Sequence, residues 1–155
     1  MTPTLDKDQL AHMGIEGGWV LGLPDFVRYG DLDTYNHVNN KVYMAWFENL
    51  RTLYMQGLGI DFDDIKDIKP VVRSAYIEFD AAMFSGEEYI TLCKTSKLGR
   101  TSFTIEYAVW CNGGIRVTGN TAIVMVNADV TATKPVPDAM RDILINRDGA
   151  TTASS

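Results

Sequence analysis

The sequence lacks the residue clusters from which metal sites and disulfide scaffolds are built. Its 155 residues include two cysteines, Cys93 and Cys111, and two histidines, His12 and His37. Two cysteines are too few for a disulfide scaffold. Four such residues spread along the chain do not form a ligand cluster, so we predict no metal site. The phosphate-binding glycine motifs and the Gly-x-Ser-x-Gly elbow of serine hydrolases are also absent.

Long apolar runs and basic clusters are missing as well. No apolar stretch approaches the ~20 residues of a membrane span, and the N-terminus lacks the basic and apolar regions of a signal peptide. The net charge is −6 and Lys and Arg do not cluster, which argues against nucleic-acid binding. We therefore expect a cytoplasmic protein without membrane or nucleic-acid partners. One domain is predicted over residues 1–145, with a disordered tail over residues 146–155.

One long apolar helix precedes a series of β-strands. Residues 41–57 carry apolar side chains at three- and four-residue spacing, and Asn39 or Asn40 is the expected N-cap. The alternation of apolar and polar residues predicts strands over residues 26–29, 71–79, 87–97, 100–110 and 115–128. Helical turns are predicted over residues 6–13 and 138–145. This order indicates an α+β fold in which an antiparallel sheet wraps around the helix.

The predicted strands also indicate whether Cys93 and Cys111 can form a disulfide bond. If the turn at Leu98-Gly99 sets the register of its two strands, Cys93 lies opposite Thr104 and far from Cys111. Disulfide geometry then fails, so both thiols are expected to be reduced.

The segment before the long helix carries polar residues at fixed offsets. Residues 31–40, DLDTYNHVNN, and residues 41–51, KVYMAWFENLR, resemble the signature of hotdog thioesterases of the 4-hydroxybenzoyl-CoA thioesterase-like group. The resemblance implies a hotdog fold, in which a five-stranded antiparallel sheet wraps around a long central helix. It also implies a homodimer with the two sheets joined edge to edge and the active sites between subunits, or a tetramer of two such dimers.

The resemblance further implies the activity and its central residues. The activity is that of an acyl-CoA thioesterase without a cofactor, since coenzyme A is part of the substrate. Asp33 matches the catalytic carboxylate, as nucleophile or general base, and the backbone N–H of Asn40 matches the group that polarises the thioester carbonyl. His37 is a candidate for orienting the loop or a carboxylate, and Asp31 is a rival acid. Asn36 replaces the Gly of many relatives, and Asn tolerates a left-handed conformation.

Six further residues are candidates for substrate binding. Residues 97–102, KLGRTS, form a basic turn that resembles the region that contacts coenzyme A phosphates in relatives. Tyr43 is a candidate for lining the acyl pocket, although its helix face is typical of core packing. Glu48 is a candidate because a helix carboxylate performs the chemistry in another subtype. The full set is Tyr43, Glu48, Lys97, Arg100, Thr101 and Ser102.

Two other functions stay open at this point: a hotdog hydratase or dehydratase of acyl thioesters, and a non-catalytic acyl-CoA-binding module. The sequence predicts neither the length of the acyl chain nor a preference for aromatic or aliphatic acyl groups. Coenzyme A is favoured over an acyl carrier protein, because an acidic carrier is poorly attracted to an acidic enzyme.

Overall fold

The computed structural model describes residues 3–152, which form a single sheet with one long helix against it. The elements in chain order are β1 (Leu5–Asp6), α1 (Lys7–His12), β2 (Leu21–Phe26), a 3-10 turn (Tyr29–Asp31), α2 (Asn40–Gly57), β3 (Lys69–Phe79), β4 (Glu88–Leu98), β5 (Ser102–Cys111), β6 (Gly114–Val126), α3 (Asp138–Asn146) and β7 (Thr151–Thr152).

The sheet contains seven strands, so the predicted number of five is wrong. Its order is β1-β2-β4-β5-β6-β3, and β7 pairs in parallel with the end of β4. The five strands β2 to β6 are antiparallel neighbours and form the expected sheet. The two additional strands have two residues each. A strand of that length shows no alternation, so the sequence pattern cannot reveal it.

Helix α2 forms the centre of the core. It begins after Asn39, whose side chain caps the first turn by accepting a hydrogen bond from Lys41 N at 3.2 Å. Its apolar face packs on one face of the sheet, where Trp46 stacks on Tyr89. Burial of each such side chain stabilises the fold by ~2 kcal/mol. The buried residues of α2 are Tyr43, Trp46, Phe47, Leu50, Tyr54 and Met55.

The N-terminal segment packs on the opposite face of the sheet. Helix α1 begins with a capping box formed by Asp6 and Gln9, and its Leu10 is buried. Leu10 belongs to a second apolar cluster with Ile90 and Leu92 of β4. Successive residues of a strand point to opposite faces, so β4 contributes to both cores.

Two local predictions differ from the structure. The strand expected at residues 26–29 ends at Phe26, and Tyr29–Asp31 form a 3-10 turn instead. Cys93 faces Tyr107 rather than Thr104, because the turn between β4 and β5 is longer than predicted and a bulge shifts the register. Both cysteines are nevertheless free, as predicted, and both are buried.

The predicted disordered tail is wrong for residues 146–152. Asn146 ends α3, and β7 joins the sheet at Thr151. Between them the carboxylate of Asp148 is buried and accepts hydrogen bonds from Tyr54 OH and, at 2.8 Å, from Thr95 N. These contacts join the C-terminal segment to α2 and β4. Residues 153–155 lie outside the described residues.

Candidate active site

The segment between β2 and α2, residues 27–39, is organised around Asp33 and is called the Asp33 loop. Asp33 Oδ1 accepts hydrogen bonds from Tyr35 N at 2.8 Å and from His37 N at 3.3 Å. Asp33 N donates to His37 O at 2.8 Å, which closes the loop. Within residues 3–152 the hydrogen bonds to this carboxylate involve Oδ1 alone, so Oδ2 is free to meet a substrate. The side chain is partly exposed, in keeping with a group at the mouth of a site.

Asn36 forms the turn of this loop. Its φ is +61°, and its N–H donates to Asp33 O at 3.1 Å. The left-handed conformation agrees with the replacement of Gly by Asn, because Asn adopts it more readily than other non-glycine residues.

Asp31 has a structural role. Its Oδ2 accepts a hydrogen bond from Arg28 N at 2.9 Å, and its carbonyl accepts one from Asn39 N at 2.8 Å. The first contact closes the 3-10 turn and the second connects that turn to the N-cap of α2. Asn40 follows as the first residue of the helix, where a backbone N–H has no intrahelical acceptor. The positive end of the helix dipole adds to its capacity to bind a negative oxygen.

His37 contacts Asp33 through its backbone. Its imidazole ring packs edge-on against Phe84, with the ring centroids 5.1 Å apart. The next residue, Val38, is buried and donates its N–H to Met83 O at 2.9 Å. The segment of residues 80–87, which follows β3, therefore supports the Asp33 loop from one side.

An ion pair holds this supporting segment. Arg116 Nη2 lies 3.1 Å from Glu87 Oε2, and Arg116 Nη1 donates to Ala82 O at 2.7 Å. Glu87 Oε1 accepts from Phe84 N at 2.8 Å. Burial opposes ionisation of Glu87, but the hydrogen bond from Phe84 N and the Arg116 guanidinium outweigh it, so the pKa of Glu87 is lowered. Sequence reasoning missed both residues, since no motif connects two charges 29 residues apart.

The basic turn predicted to bind coenzyme A lies at the opposite end of the sheet. β4 starts at Glu88, beside the Asp33 loop, and ends at Leu98. At about 3.3 Å per residue, its 11 residues separate the two ends by roughly 30 Å. The turn and β7 line a cleft of about 260 Å³ that includes Lys97 and Ser102. Thr101 and Arg100 use their carbonyl groups to accept hydrogen bonds from Met125 N and Val136 N.

The two helix candidates, Tyr43 and Glu48, both lie on α2. Tyr43 is 2% exposed and packs against Trp46 and Phe79, and burial raises its pKa to about 12. Glu48 is exposed and lies eight residues after Asn40, about 12 Å along the helix axis. It borders a separate cleft of about 190 Å³. Within one protomer, Asp33 and His37 are in contact and their loop leads into Asn40, with Tyr43 in the first turn after it, whereas Glu48 and the basic turn lie farther away.

The described part of the chain has neither a metal cluster nor a membrane helix. Among residues 3–152, no group of three or more His, Cys, Asp or Glu side chains is arranged to hold a metal ion. No helix in the same range is long and apolar enough to cross a membrane.

Comparison with known proteins identifies the family. A sequence profile described as the thioesterase-like superfamily matches residues 27–144. The chain belongs to this superfamily. The match includes the Asp33 loop, α2 and all of β3 to β6. The predicted family is therefore confirmed.

Solved structures of the superfamily share the fold. A thioesterase superfamily protein from Jannaschia sp. CCS1 is 28% identical, with a TM-score of 0.90 over 97% of each chain. A thioesterase from Thermus thermophilus, in complex with coenzyme A and zinc, is 26% identical, with a TM-score of 0.76 over 88% of this chain and 99% of the other. The predicted hotdog fold is confirmed by these similarities.

A curated relative resembles only part of the chain. The Bacillus subtilis (strain 168) protein YsmA is 30% identical over 81 residues, which are 52% of this chain and 54% of that protein. The chain thus spans about half the length of this relative.

Proposed function

We propose that the protein is an acyl-CoA thioesterase that uses Asp33 as its catalytic carboxylate. The observation that carries the proposal is the environment of Asp33: one carboxylate oxygen is held by two backbone amides while the other is free among the described residues. The loop leads directly into Asn40, whose N–H at the helix N-terminus is suited to a thioester carbonyl. Membership of the thioesterase-like superfamily supports this chemistry.

Two routes are compatible with this geometry. In the first, Asp33 attacks the thioester carbonyl, the carbon–sulfur bond breaks, coenzyme A leaves as a thiolate, and water hydrolyses the resulting mixed anhydride. In the second, Asp33 removes a proton from water as the water oxygen attacks the same carbonyl, and the carbon–sulfur bond again breaks to release coenzyme A as a thiolate. Both routes develop negative charge on the carbonyl oxygen, and the Asn40 N–H would stabilise it. His37 supports either route through its backbone contacts with Asp33.

The experiment that tests Asp33 is a thioester panel with detection of free thiol. We expect Asp33→Asn to lower kcat/KM by about 100-fold or more, because the amide neither attacks the carbonyl nor accepts a proton at neutral pH. The matched control is Asp31→Asn, two residues away. Its amide oxygen still accepts from Arg28 N, so the loss should stay below about tenfold. Full activity of Asp33→Asn would refute the assignment.

The same panel separates the alternatives. A hydratase would consume an enoyl thioester, with loss of its absorbance, and release no thiol. A non-catalytic module would bind acyl-CoA saturably without turnover. A carrier-protein substrate is distinguished by comparing acyl-CoA with the same acyl group on an acyl carrier protein. The net charge of −6 favours coenzyme A, because it repels an acidic carrier.

We further propose a homodimer joined through β3. This strand is at the end of the sheet path and has 11 residues, so a long row of its backbone groups has no neighbouring strand among residues 3–152. It also exposes apolar side chains, with Val72 45%, Tyr76 58% and Phe79 44% exposed. Long apolar edge strands are templates for pairing with another chain. A tetramer of two such dimers would need a second interface in addition to β3. The cytoplasmic location also stays a prediction.

The directions of the strands predict which residues of the two protomers would lie at the same end of the joined sheets. β3 runs towards the Asp33 end of the sheet, and β4 runs away from it. Antiparallel pairing of β3 with its copy reverses the direction of the second sheet. The basic turn of the second protomer then lies at the same end as Asp33 of the first. Residues that are far apart in one chain can thereby contribute to one acyl-CoA site, with Lys97 and Arg100 pairing with phosphates.

A further inference from the structure

We infer that Glu87 and Arg116 are positioning residues for the thioesterase site. They hold the segment of residues 80–87 in one conformation, and this segment fixes the backbone at Val38, two residues before the helix N-terminus that polarises the thioester. The inference rests on the proposed function, since it concerns the same site.

Arg116 and Glu87 contact the segment of residues 80–87 at several points. Arg116 uses Nη1 to hold Ala82 O at 2.7 Å, and its own carbonyl accepts hydrogen bonds from Asp80 N and Ala81 N at 3.0 Å each. Glu87 Oε1 accepts from Phe84 N at 2.8 Å, while Oε2 accepts from Asn112 Nδ2 at 2.8 Å. The charged side chains thus hold the middle of the segment at Ala82 and Phe84, while the backbone of Arg116 holds its start.

The segment of residues 80–87 in turn contacts the Asp33 loop. Met83 is fully buried, and its carbonyl accepts the hydrogen bond of Val38 N at 2.9 Å. Phe84 packs on the His37 ring. On the other side of the loop, Val27 N donates to Glu87 O and Gly86 N donates to Val27 O, both at 2.9 Å. The segment therefore contacts the Asp33 loop both where it begins and where it leads into α2.

The ion pair of Arg116 and Glu87 is largely buried. The side chains of Arg116 and Glu87 are 20% and 16% exposed, so both charges are largely removed from water. Burying such a pair costs desolvation energy, and a buried ion pair is weak support for stability alone. Its hydrogen bonds to backbone groups of the segment indicate instead that it selects one backbone conformation. A shift of about 1 Å at a reacting group can lower a rate by about 100-fold, so this conformation matters for catalysis.

The experiment compares Glu87→Gln with the matched control Asp148→Asn, using the full chain. Each variant replaces a carboxylate that is paired with an arginine by an amide of the same shape. Glu87 lies beside the site, whereas Asp148 contacts Thr95 towards the other end of β4. Amide hydrogen exchange is measured without substrate, and turnover is measured with the acyl-CoA that the wild type hydrolyses fastest. The amide of Ile105, in β5, reports global unfolding.

In Glu87→Gln we expect Val38 N–H to exchange about 10-fold faster relative to Ile105. We expect kcat to fall about 10- to 100-fold while KM changes by less than about twofold. Asp148→Asn should be less stable than the wild type but keep its kcat and its ratio of Val38 to Ile105 exchange. If Glu87→Gln does not fold, Arg116→Lys is measured instead, since one ammonium group then replaces the two guanidinium nitrogens that hold Ala82 O and Glu87 Oε2.

Unchanged Val38 exchange in Glu87→Gln would overturn the inference. So would an equal loss of kcat in the two variants, because that is the result of a purely structural role. A wild-type protein that releases no thiol from any acyl-CoA refutes the proposed function instead. In that case the exchange of Val38, which needs no substrate, still shows whether the ion pair controls the backbone before α2.

Discussion

Single residues of the Asp33 loop are held by backbone geometry as much as by side chains, and Asn36 provides a direct test. With φ at +61°, an alanine here should lower the free energy of unfolding by about 1 kcal/mol, because a Cβ without a compensating side-chain hydrogen bond is strained in this region. Asn36→Gly should stay within about 0.5 kcal/mol of the wild type. Urea unfolding measures both, and equal losses in the two variants would contradict the argument.

Ionisation of Glu87 makes the free energy of unfolding depend on pH in the acidic range. Its pKa is lowered from the ordinary 4.5 because the hydrogen bond from Phe84 N and the Arg116 guanidinium outweigh the opposing effect of burial. A carboxyl whose pKa is lower in the folded state stabilises it above the unfolded pKa, and this contribution is lost as the pH falls through the folded pKa. The difference in unfolding free energy between wild type and Glu87→Gln should therefore be largest near neutral pH and should shrink below about pH 4.5.

The measurement is urea unfolding of both proteins at several pH values between about 3 and 7. A difference that stays constant over this range would show that Glu87 acts through shape and hydrogen bonding and not through its charge.

Sequence reasoning was more successful for residues that act locally than for residues that act at a distance. The conformation of Asn36 and the N-cap at Asn39 depend on chain neighbours, and both could be predicted. Glu87 and Arg116 meet only because β3, β4 and β6 are neighbours or near neighbours in the folded sheet. A lone glutamate and a lone arginine on predicted strands are typical of a solvent-exposed face, so the pattern carried no sign of their pairing.

Among the elements, the C-terminal segment depends on a small buried polar network. Tyr54 of α2 donates to Asp148, and its hydroxyl is also 2.6 Å from Thr95 Oγ1. Tyr54→Phe leaves the buried carboxylate with one partner fewer, so the free energy of unfolding should fall by about 1–3 kcal/mol. Tyr29, which is 84% exposed, provides the control, and Tyr29→Phe should change it by less than about 0.5 kcal/mol.

Urea unfolding followed by far-ultraviolet circular dichroism gives both values. Equal results for the two tyrosines would mean that the network contributes nothing to stability. The prediction of a disordered tail missed this network because residues 146–155 are small and polar. Asp148 is held instead by groups that are 53 and 94 residues away in the chain.

At the scale of the whole molecule, the proposed dimer predicts a coupled loss of assembly and activity. Val72→Lys or Tyr76→Lys places a charge in the exposed apolar side of β3, which should raise the dimer dissociation constant at least about 10-fold. KM should rise with it, since the basic turn of the second protomer would no longer reach the site. The control is Met13→Lys, which replaces a similar apolar side chain, 47% exposed, away from β3.

Sedimentation velocity over a range of protein concentrations measures the assembly, and the thiol assay measures KM. A monomeric wild type with full activity would contradict the shared site. A dimer that persists in both β3 variants would place the interface elsewhere.

The amino-acid sequence alone was enough to determine the long helix, four of the five main strands and the family. Each of these depends on periodicity or on a motif confined to about 25 neighbouring residues. Only the tertiary structure decided which residues meet: it separated the basic turn from Asp33 by the length of β4, brought Glu87 to Arg116, and buried Asp148. The reason is physical, because strand order and register determine distances between residues far apart in sequence, and neither leaves a local pattern in the chain.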